Sequence, residues 1–298
     1  MHGRLLYAAD PRWAALAERL QTLMAESVFR VLKDEARTRA GLLEVPGDGS
    51  VFVKRVRAGS WARGLFARAR GSRVRRWLDG AAMLWAAGFN RPAPLAALEL
   101  YQAGALVESY LVCEALGEAT VLSRAVLDEG RVHFRSRRAL LSAVIREVRR
   151  LHDAGLYTLD LQETNLMIEE CDGAPPRISF VDLEDFRRAR SVSWQRRMLN
   201  LIHLDRSIGR FLNRPARLRC LYDYLGDGAR DRGERHDVVQ QFWRLRDELE
   251  SRRRTRVPPL MTKPPGAGQL PDAAAATAFT HSASTGIADG FAPPSRGH

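Results

Sequence analysis

The stretch LHDAGLYTLDLQETNL occupies residues 151–166, and ISFVDLE follows at residues 178–184. In the first stretch, Asp160 lies between two leucines, just beyond the predicted end of an amphipathic helix, and Asn165 follows five positions later. In the second stretch, Asp182 closes a short apolar run. Because burying an unpaired carboxylate is costly, each acidic residue requires a partner. The two stretches therefore predict a polar site built from a loop and a following strand.

The same stretches predict a β-hairpin with arms at residues 165–168 and 178–182. A hairpin brings its first and last residues together, so we expect Asn165 beside Asp182, with Asp160 at the same edge. Two carboxylates and an amide supply oxygen ligands of the kind that Mg²⁺ prefers. The alternative is that the two aspartates cap loops by accepting hydrogen bonds from backbone amides.

A fourth polar residue, Lys54, lies far upstream in the run VFVKRV at residues 51–56. Since side chains alternate along a strand, Lys54 shares a face with Phe52 and Val56, and its amine is expected to seek an anion. A strand lysine standing alone is more often solvated. Here a strand lysine precedes, in order, a loop aspartate, an asparagine five positions later and a strand-ending aspartate. That order fits the requirements of phosphoryl transfer.

Secondary-structure signals divide the chain into four regions: a helical extension at 1–26, a β-rich region at 27–113, a helical region at 114–254 and a disordered tail at 255–298. The tail holds half of the prolines and is rich in alanine. The predicted strands outside the hairpin span 28–32, 39–45, 51–56, 95–101 and 107–113, and the predicted helices span 11–25, 73–87, 138–154, 194–212, 214–225 and 234–253.

The formal net charge is +12, and only three of the 47 basic residues are lysines. Such a surplus favours anionic partners. The arginine-rich runs Arg63–Arg76 and Arg252–Arg256 lack the aromatic interleaving of a nucleic-acid site, so we expect a solvated surface or one that attracts anionic lipid headgroups or a phosphorylated glycolipid. Three scattered cysteines, and the lack of a signal-peptide or membrane-spanning pattern, predict a cytoplasmic protein, soluble or peripheral to a membrane.

The stretches at 151–166 and 178–184 resemble the catalytic loop and metal-binding strand of the protein-kinase-like fold. Within that fold, they are most similar to the bacterial lipopolysaccharide kinases that phosphorylate Kdo or heptose in the inner core. The resemblance spans residues 27–225 and implies an α+β, two-lobed architecture, with a small β-rich N-lobe and a larger helical C-lobe. Four further stretches agree with it: residues 51–55, 72–77, 86–96 and 200–207.

The resemblance also implies roles for individual residues. Lys54 would contact the phosphates of ATP, Asp160 would orient and deprotonate the acceptor hydroxyl, and Asn165 and Asp182 would hold Mg²⁺. The acceptor would be lipopolysaccharide or another glycolipid, reached at an anionic membrane surface. Further nucleotide contacts are expected from the adenine-binding hinge and from glycines covering the phosphates: Cys113, Glu114, Ala115, Gly47 and Gly49.

The chain departs from the kinase pattern at several positions. No G-x-G-x-x-G motif precedes the strand lysine, and the helix at 73–87 contains Asp79 but no glutamate. Thr158 stands where the pattern usually has histidine, and Leu183-Glu184 replace Phe-Gly. Two alternatives stay open: a small-molecule phosphotransferase of the aminoglycoside or choline type, and a catalytically inactive kinase-like binding module. We expect His152 and its neighbouring aspartate to meet water in the last turn of their helix.

Overall fold

The computed structural model describes residues 2–127, 137–171, 174–226 and 231–256. From residue 257 onward, the predicted disordered tail lies outside the described residues. The amino-terminal elements are β1 (His2–Ala8), α1 (Pro11–Leu23), β2 (Phe29–Asp34), β3 (Thr38–Val45), β4 (Gly49–Arg57), α2 (Trp61–Arg70), α3 (Arg73–Ala86), β5 (Pro94–Gln102) and β6 (Ala105–Glu114). The carboxy-terminal elements are β7 (Thr120–Val121), α4 (Leu122–Leu127), α5 (Arg137–Asp153), β8 (Leu156–Thr158), β9 (Leu166–Glu169), β10 (Arg177–Phe180), β11 (Phe186–Arg188), α6 (Trp194–Ile208), α7 (Arg214–Leu225) and α8 (Arg232–Arg256).

The amino-terminal strands form an antiparallel sheet in the order β1-β5-β6-β4-β3-β2. Along β4, Val51 and Val53 are buried in a cluster with Trp13 and Leu20 of α1. The opposite face of the sheet is covered by α3, where Trp77 belongs to a second cluster that extends into the helical region. Both faces of the sheet are therefore covered, and alternation along β4 turns Lys54 toward the α3 side.

In residues 1–26 we expected only a helix, and the structure adds a strand. The helix is confirmed: α1 starts at Pro11, and the side chain of Asp10 accepts hydrogen bonds from the backbone amides of Arg12 and Trp13. The preceding strand, β1, pairs with β5 along the sheet edge. Residues His2–Ala8 therefore belong to the sheet. This short stretch has no clear alternation of apolar and polar residues, so its pairing with a distant strand decides its conformation.

The helix α2 was also not predicted, because the arginines of this segment obscure its periodicity. Ser60 caps its first turn, and Gly64 lies so close to β6 that an added Cβ would be 2.3 Å from the Leu106 carbonyl oxygen. Glycine is therefore required for α2 to pack against this strand. The following helix, α3, occupies the predicted position.

The helical region follows the predicted pattern closely. All six residues of the predicted apolar stripe on α5 are buried. The β-hairpin is present, with Leu166 opposite Phe180 and Ile168 opposite Ile178, although its second arm ends at Phe180 and β7 joins as a third strand. The helix predicted to reach residue 212 ends at Ile208. Within the described residues, no helix is both long and apolar enough to cross a membrane.

Candidate active site

Lys54 lies in the middle of the sheet, with Ala40 of β3 and Leu111 of β6 as its register partners. Its side chain is 15% exposed, and its Nζ atom donates a hydrogen bond of 2.6 Å to Oδ1 of Asp182. The two residues are separated by 128 positions in the sequence. A largely buried ammonium group thus has a carboxylate partner, which offsets the loss of its hydration.

Asp182 follows the hairpin arm β10 and adopts a left-handed backbone conformation, with φ 57° and ψ 57°. Aspartate and asparagine tolerate this region better than most residues, yet it still carries backbone strain. The surroundings hold the segment in place. An added Cβ on Gly80 of α3 would lie 2.1 Å from the carbonyl oxygen of Leu183, so the helix and this segment pack closely.

Asp160 belongs to a loop whose backbone is tied to the same segment. Its amide donates to Oγ1 of Thr158 at 3.2 Å, and Gln162 donates to its carboxylate. Nδ2 of Asn165 donates to the Asp160 carbonyl oxygen at 3.0 Å. The carbonyl oxygen of Asn165 in turn accepts from the amide of Val181, also at 3.0 Å. These bonds connect Asp160, Asn165 and the residue before Asp182, as the hairpin argument predicted.

A buried polar network anchors this loop on α6, and the sequence did not reveal its central residue. The amide group of Asn200, which is 1% exposed, donates to the Thr158 carbonyl oxygen at 2.6 Å and accepts from the Thr158 amide at 3.3 Å. Oδ1 of Asn200 also lies 3.1 Å from Nε2 of His152, and Nδ1 of His152 lies 2.7 Å from the hydroxyl of Tyr224. A polar residue within the apolar stripe of its helix was the available signal.

The expectation that His152 meets water is wrong. The residue is 1% exposed, and burial lowers the pKa of its imidazole to about 4, so the ring is neutral at pH 7. Because Oδ1 of Asn200 can only accept, Nε2 of His152 carries the proton and Nδ1 accepts from Tyr224. The ring therefore positions the loop rather than taking part in chemistry.

A second ion pair joins α3 to the segment after Asp182. Nε of Arg73 lies 2.8 and 2.9 Å from the two carboxylate oxygens of Glu184, and Nη2 contacts the same group. Glu184 is 5% exposed, and its hydrogen bond raises the pKa of the Arg73 guanidinium. As its sequence shows, α3 carries no glutamate. In this ion pair α3 contributes the cation, Arg73. The acid is Glu184, one of the two residues that replace the Phe-Gly of the kinase pattern.

The nucleotide-binding positions predicted at the hinge lie at the end of β6. Cys113 is buried, and burial raises the pKa of its thiol to about 12, so its side chain is a neutral core group. The Glu114 amide donates to the Ala93 carbonyl oxygen at 2.9 Å, and Ala115 is half-buried. Any adenine contact from these residues would use backbone groups.

The hairpin turn between β3 and β4 carries Gly47 and Gly49, both with positive φ (86° and 75°). Open space surrounds the position where a Cβ would lie on each. The turn is tied to α1 through an ion pair between Arg12 and Asp48 at 2.7 Å. Among the described residues, no hydrogen bond joins this turn to Lys54 or Asp182. Turn geometry alone therefore accounts for both glycines, and the expectation that they cover phosphates stays a prediction.

The donor set of the site fits Mg²⁺. Nδ2 of Asn165 donates to the Asp160 carbonyl oxygen, so Oδ1 of the same side chain is the atom that can bind a metal ion. The side chain of Asp182 is 36% exposed, so its carboxylate is accessible from solvent. Mg²⁺ is typically held by one or two protein oxygens together with phosphate and water. In the part of the chain that is described, no group of three His, Cys, Asp or Glu residues forms a metal site by itself. Asn165 and Asp182 would thus need ligands from a nucleotide.

Comparison with known proteins agrees with this geometry. No curated protein matches the chain. A solved structure described as WaaP in complex with acyl carrier protein is similar, with a TM-score of 0.58 and 22% identity over 83% of this chain and 99% of that chain. At this identity the likeness shows the fold, which is protein-kinase-like. A family model described as the lipopolysaccharide kinase (Kdo/WaaP) family matches residues 31–219, more than half of the chain. The chain therefore belongs to the lipopolysaccharide kinase (Kdo/WaaP) family.

Proposed function

We propose that this protein is an ATP-dependent kinase that phosphorylates a sugar hydroxyl, on Kdo or heptose, in the inner core of lipopolysaccharide. Family membership supports kinase activity on lipopolysaccharide. The observation that carries the assignment of the site is the 2.6 Å contact between Nζ of Lys54 and Oδ1 of Asp182. It brings together a cation and a carboxylate from two distant parts of the chain, as phosphoryl transfer requires.

In the proposed reaction, the carboxylate of Asp160 orients the acceptor hydroxyl and accepts its proton. The hydroxyl oxygen forms a bond to the γ-phosphorus of ATP while the bond from that phosphorus to the β–γ bridging oxygen breaks, and ADP leaves. Position and electrostatics contribute most in such transfers. The bonds from Asn165 and Asn200 to the loop therefore matter because they fix the Asp160 backbone.

The remaining residues bind the nucleotide in this proposal. Lys54 contacts the phosphates, and Asn165 and Asp182 hold Mg²⁺. When bound, Mg²⁺ neutralises charge on the phosphate oxygens. The adenine is held by backbone groups at the hinge, and the β3–β4 turn covers the phosphates. The hinge and turn residues are Cys113, Glu114, Ala115, Gly47 and Gly49.

The proposed site of action is the cytoplasmic face of the inner membrane, with the protein held there peripherally. A lipid-linked acceptor restricts the reaction to a bilayer surface, and the formal charge of +12 favours association with anionic lipids.

Transfer of labelled γ-phosphate from ATP to lipopolysaccharide with an unphosphorylated core tests this function. We expect Asp160→Asn to lower the rate about 10²- to 10⁴-fold, since a general base contributes that much, while binding of Mg²⁺-ATP is retained. Glu170→Gln, which alters an exposed carboxylate just after β9, should leave the rate unchanged. Mass spectrometry of the product identifies the sugar.

Three results would contradict the proposal. An unchanged rate for Asp160→Asn would remove the residue from the reaction. Transfer to an aminoglycoside or choline-like alcohol, without transfer to lipopolysaccharide, would indicate the small-molecule phosphotransferase. Absence of nucleotide binding and of transfer would indicate the inactive binding module.

A further inference from the structure

The helix α2 presents an apolar surface to solvent. Its buried residue, Gly64, packs against β6, and the exposed fractions of its large apolar residues are 69% for Phe66, 63% for Trp61 and 37% for Leu65. An amphipathic helix of a globular protein normally turns such residues inward. On α2 they point outward, so the core of the protein does not explain them.

The outward residues form one continuous face. At 100° per residue, the apolar residues span an arc of about 140° on the side away from Gly64. Arg63 and Arg70 border this arc on one side, and Arg68 borders it on the other. The residues of the arc are Trp61, Ala62, Leu65, Phe66 and Ala69. We call these five residues the α2 apolar face. Long cationic side chains beside an apolar arc are typical of helices that lie in a membrane interface.

Every charged residue in the segment that forms α2 and the start of α3 is positive. Residues 61–76 contain six arginines and no acidic residue. Arg73 is paired with Glu184, but Arg63, Arg70 and Arg75 are exposed and make no ion pair with a carboxylate in the described residues. Their charges remain available to an external anion.

A shallow groove of about 480 Å³ lies next to the same helix. Arg68 of α2 and Arg4 of β1 line it, together with His2 and Tyr101. The groove thus extends the cationic surface from α2 toward the sheet edge. An anionic headgroup is of the right charge for it.

We propose that α2 docks this protein on an anionic lipid bilayer. The α2 apolar face enters the headgroup region, while Arg63, Arg70 and Arg75 contact lipid phosphates. A bilayer is favoured over a protein partner because it deforms around a single convex helix, whereas a protein would need a matching groove. It is favoured over nucleic acid because the apolar residues at the centre of the face would contribute little to binding nucleic acid. This surface would hold the protein at the membrane location proposed above, and vesicle binding can be measured without kinase activity.

Sedimentation of the full-length protein with phosphatidylcholine vesicles, with and without about a third phosphatidylglycerol, tests the proposal. We expect binding to the anionic vesicles that weakens as salt is raised. Each arginine near an anionic surface contributes about fivefold in affinity, so Arg63→Gln with Arg70→Gln should weaken binding about 25-fold. Phe66→Ser removes apolar contact and should weaken binding at least tenfold.

Matched variants separate this surface from general properties of the chain. Arg19→Gln with Arg30→Gln removes the same charge from exposed positions on α1 and β2, and Trp85→Ser removes an aromatic side chain that is 70% exposed on α3. Both should bind vesicles like the unmodified protein. The thermal midpoint of every variant, with and without Mg²⁺-ATP, checks folding and the nucleotide site separately.

Equal binding by the α2 variants and the unmodified protein would overturn the proposal, as would equal losses in the matched variants. If the α2 variants keep full vesicle binding but lose binding to a duplex oligonucleotide or to an acidic protein, α2 would be assigned to that class of partner instead.

Discussion

At the residue scale, Asp182 combines a strained backbone, a short contact with Lys54 and a position next to the Asn165 loop. The carboxylate thus serves two cations in the proposed complex, the lysine and Mg²⁺. Strain that is maintained by tight packing is common at functional sites. The replacement that tests this role must keep the left-handed backbone, and asparagine does so.

We expect Asp182→Asn to weaken binding of Mg²⁺-ATP about tenfold or more, because a neutral amide is a poorer ligand for Mg²⁺ than a carboxylate. For the same reason, the affinity of the variant for ATP should depend less on whether Mg²⁺ is present. Isothermal titration calorimetry measures both quantities. Asp185→Asn changes a half-buried carboxylate three residues away and should bind normally. Full Mg²⁺ dependence in Asp182→Asn would rule out the metal assignment.

His152 predicts a pH dependence of stability. Histidine in the unfolded chain has a pKa near 6.5, and burial lowers the folded value to about 4. Between these values the unfolded state binds more protons, so the free energy of unfolding falls as the pH is lowered from about 6.5 to about 4. The contribution over this window is about 3 kcal/mol.

Urea denaturation at a series of pH values between 4.5 and 7.5 measures this effect. His152→Gln keeps a donor for Asn200 but does not titrate, so its free energy of unfolding should fall less steeply toward low pH than that of the unmodified protein. Parallel curves for the two proteins would show that His152 is not the source.

At the element scale, α3 is attached to the segment that carries Asp182. The Arg73–Glu184 pair and the close approach of Gly80 to Leu183 both hold this helix against it. Lys54 has its carboxylate partner on that segment rather than on α3. Movement of the helix would thus be transmitted to Asp182 directly.

Arg73→Glu should lower the free energy of unfolding by about 2 kcal/mol, since it leaves the buried Glu184 carboxylate unpaired beside a like charge. We also expect it to raise the Mg²⁺ concentration needed for half-maximal activity. Combining it with Glu184→Arg should restore much of both losses, while Arg75→Glu, at an exposed neighbour on the same helix, should change neither. If the double variant is no better than the single one, the pair does not couple α3 to the site.

At the scale of the whole molecule, the proposed nucleotide site is formed by residues of the sheet, the loop and the hairpin together. A ligand that contacts all three stabilises the folded protein as a unit. At 100 times its Kd, Mg²⁺-ATP should add about 2.7 kcal/mol, which raises the Tm by about 5 to 10 °C for a domain of this size. Thermal denaturation with and without Mg²⁺-ATP measures the shift.

Lys54→Met should abolish most of this shift because it removes the cation proposed to contact the phosphates. Lys33→Met, at an exposed lysine on β2, should retain the shift. No shift in the unmodified protein would favour a kinase-like module that does not bind nucleotide.

The sequence alone was sufficient to predict secondary structure and side-chain orientation where local signals are strong. The face of β4 that carries Lys54, the buried stripe of α5 and the arms of the hairpin all follow from side-chain periodicity. The hairpin also brought Asn165 near Asp182, because the approach of its two ends is a local property of that motif. The order of the four polar residues, and the resemblance it supports, likewise required no coordinates.

Only the tertiary structure decided features that depend on distant parts of the chain. β1 forms because its backbone pairs with that of β5. His152 is buried because α6 and α7 cover the end of its helix. The pairing of Arg73 with Glu184 spans 111 positions, and no local pattern specifies such a contact. The outward orientation of Phe66 depends on which side of α2 meets β6. Long-range packing selects among conformations and partners that the local sequence permits, and it therefore decides these features.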